Sequence, residues 1–360
     1  MGSELENYST LLKKFGLFEE KTLEIIVSAW KESHRYWHTY NNHLLPLLER
    51  IDEKKRELSE EEYEGLVMIA IFHDIVYDPR REDNEEQSAR VFKELTKNSS
   101  HPLKDQIERA ILDTAEKEPS SKISRIFQKM DTKILRSNNI TEILRFERAI
   151  FKEYQYLDFK TYQKERLNFL NNWLNSHSIK EPTALEWLIE YIRREEPKIG
   201  VYAGSFDPFH KGHFDVLKKA ERVFDKVILA VGTNPEKAEP NKDLRKRVAM
   251  LKQSLPFHQV EGFQGFLTDF IKQLGYKVTL VRGLRDSYDL TYENNQLRLM
   301  EDMYPQVNVV YFLCSSNLQH ISSSAVRMIR SFNKGREKKY LVKAEKNILE
   351  KLGLKNKNSL

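Results

Sequence analysis

Two histidines three residues apart, His210 and His213, close the stretch Gly204-Ser205-Phe206-Asp207-Pro208-Phe209-His210-Lys211-Gly212-His213. Imidazoles at that spacing, with a glycine between them, can line one side of a nucleotide's phosphate chain. Gly212 is expected to let the backbone approach closely, because a Cβ there would fill the ligand's space. Upstream, the apolar run Ile199-Gly200-Val201-Tyr202-Ala203 predicts a buried strand. Downstream, Val216, Leu217, Ala220, Val223 and Phe224 recur at helical spacing. The motif therefore sits on a strand-to-helix turn, which in an open parallel sheet faces the ligand crevice. A helix N-terminus there offers free N–H groups and positive dipole to an anion, most naturally a phosphate.

Three further pieces fall at strand ends. Lys237 follows the strand candidate at 226–232, the run Arg282-Gly283-Leu284-Arg285 follows a strand at 277–282, and Ile321-Ser322-Ser323-Ser324-Ala325-Val326-Arg327 follows a strand at 307–313 and opens a helix. With 198–202 and a weaker candidate at 259–261, these strands alternate with helical patterns, which predicts a parallel sheet with helices on both faces. No G-x-x-x-x-G-K-[ST] or G-x-G-x-x-G occurs, so phosphates need this distributed device, in which the serines at 322–324 offer hydroxyls and backbone N–H groups.

Residues 1 to about 195 carry helical periods, among them 23–35, 61–77, 121–135 and 140–155, without strand alternation, so an all-α domain is expected. Within it His73 and Asp74 end an apolar helix, where a carboxylate is costly unless paired or bound to a cation. His38 lies upstream and Asp131 downstream. Two imidazoles and two carboxylates suit a divalent transition metal such as iron, manganese, zinc or nickel, and leave positions for water and substrate. Glu85 and Glu86 could stand near the metal, but Asp83 and Glu86 have capping-box spacing, which is the preferred reading. His34, His101, His177 and His258 are read as surface or packing residues.

Composition bounds the rest. The 360 residues are too many for one ordinary core, and 40% apolar with 31% charged is a soluble globular balance. The net charge of +5 is well mixed, which suits anionic small molecules and gives no argument for nucleic acid. Cys314 is the single cysteine and lies in an apolar run, so a packed thiol in a reducing cytoplasm is expected. No run is long and apolar enough for a bilayer, so no membrane partner is expected.

The second half strongly resembles the phosphopantetheine adenylyltransferases of the H-x-G-H nucleotidylyltransferase superfamily. The likeness rests on Gly204 to His213, on Val260-Glu261-Gly262-Phe263, on Val281 to Arg285 with Asp289, Tyr292 and Glu293, and on Ile321 to Ser324. The resemblance implies a Rossmann-like domain that transfers the adenylyl group of ATP to 4′-phosphopantetheine. It implies catalytic roles for His213, Lys237 and Ser205, with Ser205, Lys237, Leu267 and Arg282 on phosphopantetheine. ATP would meet Ser205, Phe206, His210, His213, Gly283, Leu284, Arg285, Glu293, Leu318, Ser322, Ser323 and Ser324, with Mg²⁺ on the triphosphate. Homo-oligomers are common in that family, and one is expected here.

The first half resembles the HD-domain metal-dependent phosphohydrolases, through His38-Thr39, Phe72-His73-Asp74-Ile75-Val76-Tyr77-Asp78 and Asn84-Glu85-Glu86-Gln87-Ser88-Ala89. The resemblance implies that His38, His73, Asp74 and Asp131 hold the metal and that an unknown phosphorylated substrate is hydrolysed. That branch usually has a second histidine four residues after the first. Here Asn42 stands there and His43 comes one later, so His43 is left without an assigned role.

The expected organisation is an all-α HD-type domain at 1–180, a helical linker at 181–197, a Rossmann-like adenylyltransferase at 198–354 and a frayed tail at 355–360, with 336–352 as a basic amphipathic helix. The rival readings are nucleotidylyl transfer to another phosphorylated acceptor, such as nicotinate or nicotinamide nucleotide, and a helical half that senses or scaffolds without hydrolysis.

Overall fold

The computed structural model describes residues 3–116, 119–176, 184–233 and 244–354. Lys237, His177 and the segment 355–360 lie outside the described residues. No helix among the described residues is long and apolar enough to cross a membrane. The chain forms two compact units: one comprises residues 1–153, 168–190 and 345–360, the other 154–167 and 191–344.

The first unit is helical, built on α1 (Ser9–Lys14), α2 (Glu20–Ala29), α3 (Leu45–Glu53), α4 (Glu60–Phe72), α5 (Asn84–Leu95), α6 (Lys104–Leu112), α7 (Lys122–Asp131) and α8 (Ile140–Glu153). Two more helices, α9 (Phe159–Ser176) and α10 (Ala184–Arg194), have residues in both units. Helix α4 is the rod at the centre. Ser59 and Glu62 close a capping box at its start, and every residue from Glu64 to Phe72 is buried. A helix that is apolar all round belongs in a core. Its last turn delivers His73 and Asp74. At Gly65 any Cβ would run into the Ile123 side chain, so α7 packs directly on this backbone.

Three expectations change here. The helix expected over 23–35 stops at Ala29, because the next segment is a loop held through a buried arginine. Its Arg35 guanidinium donates to Glu32 and to the carbonyls of Asp74 and Ile75 at 2.7 and 3.1 Å. The capping box expected at Asp83 and Glu86 is absent, since Asp83 is taken by a two-pronged ion pair with Arg81 and by Gln87. The helix expected over 336–352 is a 3₁₀ turn at Arg336–Tyr340, an extended stretch, and the short α16 (Ile348–Lys351). Leu341 pairs with His210 as an antiparallel bridge, which requires extended backbone there. Ile348 and Leu349 are buried in the helical core, so the chain returns to the first unit after residue 344.

The second unit is a five-stranded parallel sheet in the order β3-β2-β1-β4-β5. Its strands are β1 (Ile199–Gly204), β2 (Lys226–Gly232), β3 (Val260–Phe263), β4 (Thr279–Leu284) and β5 (Val309–Leu313). Val201 pairs with Ile228 on one side and Leu280 on the other. Alternate side chains serve two cores, with Tyr202, Leu229 and Val281 on one face and Val201, Ile228 and Leu280 on the other. Burial on both faces is the condition under which a purely parallel sheet is stable. The covering helices are α11 (Lys211–Ala220), α12 (Leu244–Ser254), α13 (Leu267–Leu274), α14 (Ser287–Met303) and α15 (Ser323–Phe332). Chain order reverses between β1 and β4, the position where open α/β sheets bind ligands. Strand β4 runs two residues further than expected, so Arg282, Gly283 and Leu284 lie within it and Arg285 alone follows.

Candidate nucleotide site and metal centre

In the sheet unit, β1 ends at Gly204 and the chain turns through Phe206, whose φ of 45° is left-handed. It enters α11 with His210 as the N-cap. The His210 Nδ1 accepts from the backbone N–H of Gly212 at 3.1 Å and of His213 at 3.4 Å, while His213 Nδ1 accepts from His210 N–H at 3.3 Å. The two histidines thus form a reciprocal capping box, their rings stacked with centroids 3.7 Å apart. Each Nδ1 is an acceptor, so in a neutral imidazole the proton is on Nε2. Burial and the Arg285 charge lower His210 to about 4. Burial, His210 and Arg285 push His213 well below its ordinary value. Both rings are therefore neutral Nε2–H donors at pH 7.

They open onto a cavity of about 480 Å³ at the switch point. From the residues expected in the site, the structure brings Ser205, His210, His213, Gly283, Arg285, Glu293, Ser322, Ser323 and Ser324 to its wall. Ser322 caps α15 through Ala325 N–H, and Ser323 donates to the Pro208 carbonyl at 3.1 Å, so the serine turn is fastened to the histidine turn. Arg285 makes a two-pronged pair with Asp289 at 2.8 and 2.9 Å. Gly283 has no room for a Cβ, which would come within 2.9 Å of Val216.

Phe206, Leu267, Arg282, Leu284 and Leu318 are not on this wall. Phe206 and Leu284 are buried, and Arg282 is turned to the Ala203 carbonyl and to Glu293 at 3.1 Å. At Gly212 a Cβ would meet the His210 ring at 3.1 Å, so the glycine makes room for the cap before any ligand. Cys314 is buried as expected, with Sγ against the Gly212 carbonyl at 3.9 Å, yet it lines the cavity as well. Sequence reasoning passed over Tyr202 and Val216 as lining residues. Arg247 escaped it too: its guanidinium donates to the carbonyls of Ser205 at 2.7 Å and Gly232 at 2.9 Å, tying two strand ends together.

A sheet that reverses at a helix-capping histidine pair, with an arginine and a serine-rich helix tip across the cavity, defines the nucleotidylyltransferase class, and residues 201–329 match the cytidylyltransferase-like family. The phosphopantetheine adenylyltransferase of Alkaliphilus metalliredigens (strain QYMF) is 36% identical over 138 residues, which are 38% of this chain and 87% of that protein. The protein of the same name from Clostridium tetani (strain Massachusetts / E88) is 32% identical over 136 residues, 37% of this chain and 84% of its own. Through this part, the chain belongs to the phosphopantetheine adenylyltransferase family. A solved bifunctional NMN adenylyltransferase/ADP ribose pyrophosphatase from Francisella tularensis is 17% identical, with a TM-score of 0.32 over 42% of this chain and 46% of that one.

In the helical unit, His73, Asp74 and Asp131 come together as expected, but with His43 among them. His43 Nε2 lies 3.1 Å from His73 Nε2, 3.1 Å from Asp131 and 3.6 Å from Asp74. His73 Nε2 lies 3.1 Å from Asp74 and 3.6 Å from Asp131. His38 stands at the edge, its Nε2 4.0 Å from Asp74. His43 arrives through a widened turn: the Thr39 carbonyl accepts from both His43 N–H and Leu44 N–H, at 3.0 and 3.2 Å. This single π-type turn at Tyr40–Leu44 absorbs the extra residue and swings His43 inward.

The donor set fits a divalent cation. His73 Nδ1 faces the Ala70 carbonyl at 3.0 Å and must donate to it, which leaves Nε2 with a lone pair aimed at another imidazole nitrogen. A proton or a metal has to lie between them. Burial opposes ionisation of Asp74, yet the neighbouring His73, His38 and His43 hold it well below the carboxylate range. Of the histidines read as surface or packing residues, His34 meets the Tyr77 carbonyl at 2.7 Å, His101 stacks on Phe15 and reaches Glu64, and His258 pairs with Glu221 at 2.6 Å.

Proposed function

We propose that the sheet unit transfers the adenylyl group of ATP to 4′-phosphopantetheine, giving dephospho-coenzyme A and pyrophosphate. The pair of neutral, backbone-locked imidazoles carries this reading, because a phosphoryl transition state needs fixed donors where negative charge spreads. An oxygen of the acceptor phosphate attacks the α-phosphorus in line as the bond to the pyrophosphate oxygen breaks. His213 Nε2–H donates to the α-phosphate, while Arg285 and the tip of α15 hold the distal phosphates. Ser205 and Lys237 are assigned to the acceptor by family position. No protein nucleophile is required, and Mg²⁺ bound with ATP would neutralise charge on the leaving pyrophosphate. The family relatives support this acceptor. A pyrophosphate-release assay with phosphopantetheine, nicotinate mononucleotide and nicotinamide mononucleotide tests it: release with the first alone is expected, and release only with a mononucleotide sinks it.

For the helical unit we infer an HD-type centre in which His38, His73, Asp74 and Asp131, joined by His43, hold a divalent metal. Such a metal would supply Lewis-acid chemistry for attack of water on a phosphate ester. The protein's part is to keep the imidazole lone pairs and both carboxylates converged on one point. Phosphate release from a panel of phosphate esters, compared with Asp74→Asn, tests turnover. Equal release by the two proteins favours the sensing role. Self-association is proposed as well, with Tyr288 and Phe332, 84% and 86% exposed, as candidate contact residues.

A further inference from the structure

Glu153 ends α8, belongs to none of the motifs above, and is fully buried. Its Oε1 accepts three successive backbone N–H groups, from Tyr36, Trp37 and His38, at 2.7, 2.7 and 2.9 Å. Its Oε2 accepts the Tyr77 hydroxyl at 2.7 Å and faces His38 Nδ1 at 2.7 Å. A buried carboxylate is costly without such donors, and a solely structural role would be met by the three backbone groups. The contact to the imidazole does something more. An ionised carboxylate can only accept, so Nδ1 of His38 must carry a proton, and in the neutral ring Nε2 has its lone pair on the side of Asp74. Tyr77 stacks on the same ring at a centroid distance of 4.1 Å, fixing its plane as well as its tautomer.

We propose that Glu153 is a positioning residue of the metal centre: it sets the loop 36–38, the ring plane and the tautomer of His38, so that Nε2 presents a lone pair to the cation. This rests on the metal-binding reading of the helical unit. Carboxylates that hold the far nitrogen of a metal-binding histidine typically change metal affinity by about 10–100-fold when replaced. Glu153→Gln is the telling change because it keeps the shape. Its amide oxygen can still take the backbone N–H groups, but its NH₂ then faces Nδ1. Nδ1 is forced to accept, and the proton moves to Nε2, where it blocks coordination.

The test is Mn²⁺ binding by calorimetry to the full chain, stripped of metal and free of nucleotide. A wild-type site that Asp74→Asn removes is expected. Glu153→Gln should weaken it by roughly 10–100-fold, His38→Ala by a similar factor, and the double variant no further. Unchanged Mn²⁺ affinity in Glu153→Gln overturns the proposal. Wild-type binding no different from Asp74→Asn removes the metal reading itself. Should Glu153→Gln not fold, nitrogen-15 spectra of histidine in the metal-free wild type, taken at a pH where the His38 ring is neutral, decide: the Nδ1–H tautomer supports the assignment, and the Nε2–H tautomer overturns it.

Discussion

Histidine serves opposite electrostatic ends in the two units. At the end of α4 the imidazoles stand among carboxylates, with His43 and His73 nitrogens 3.1 Å apart and aimed at each other, an arrangement that calls for a cation. At the start of α11 the imidazoles are wedged against backbone N–H groups and near Arg285, while the nearby acids Asp289 and Glu293 are paired with arginines. That arrangement calls for an anion. Which backbone group meets Nδ1 decides the difference: a carbonyl takes its proton at His73, and amides donate to it at His210. The same side chain becomes a lone-pair ligand in one place and an N–H donor in the other.

The most damaging single change expected is His213→Ala, which removes a donor from the transition state and should lower kcat for pyrophosphate release by about 10²–10³-fold. Metal binding at the helical unit should be untouched. A loss of Mn²⁺ affinity in that variant would break the separation of the two sites. The mirror experiment is His43→Ala, which should weaken Mn²⁺ binding on the order of 100-fold while adenylyl transfer continues. Full retention of binding would show that the widened turn does not deliver a ligand.

Stability against pH sharpens the contrast further. His210 ionises near 4 when folded and near 6.5 when unfolded, so the unfolded chain binds more protons between those values. Its contribution to stability therefore falls as pH drops from about 6.5 to about 4, and is flat above 7. His210→Asn keeps a capping side chain and should flatten that slope in urea melts followed over pH. The smallest effect expected is Ser322→Ala, a loss of about 1 kcal/mol from the lost cap. Its Michaelis constant for ATP should rise more than its kcat falls, and the reverse split would move Ser322 from binding to chemistry.

Much of this was legible in the residues. The alternation of strand and helix gave the parallel sheet, and the rim positions of His213, Arg285 and Ser323 placed them on one cavity. The helical half was readable as helices, and His73, Asp74 and Asp131 converge as expected. What escaped depended on hydrogen bonds across long separations. Nothing local distinguishes Glu153 from other glutamates on an amphipathic helix, because its partners lie 76 to 117 positions earlier. Spacing alone places His43 on the wrong side of an ordinary helical turn, and only the widened turn at Tyr40–Leu44 brings it inward. The C-terminal segment read as a helix from its apolar spacing, while the bridge to His210 keeps part of it extended.

Ile348 and Leu349 complete the packing of helices that begin near residue 20. On the ribosome, the first helices to emerge thus cannot finish their core until the entire parallel sheet has been translated. Domains generally fold in the order they are made. Here the earlier one must wait, partly assembled, for the later one, and a message cut short within the transferase would leave both halves incomplete.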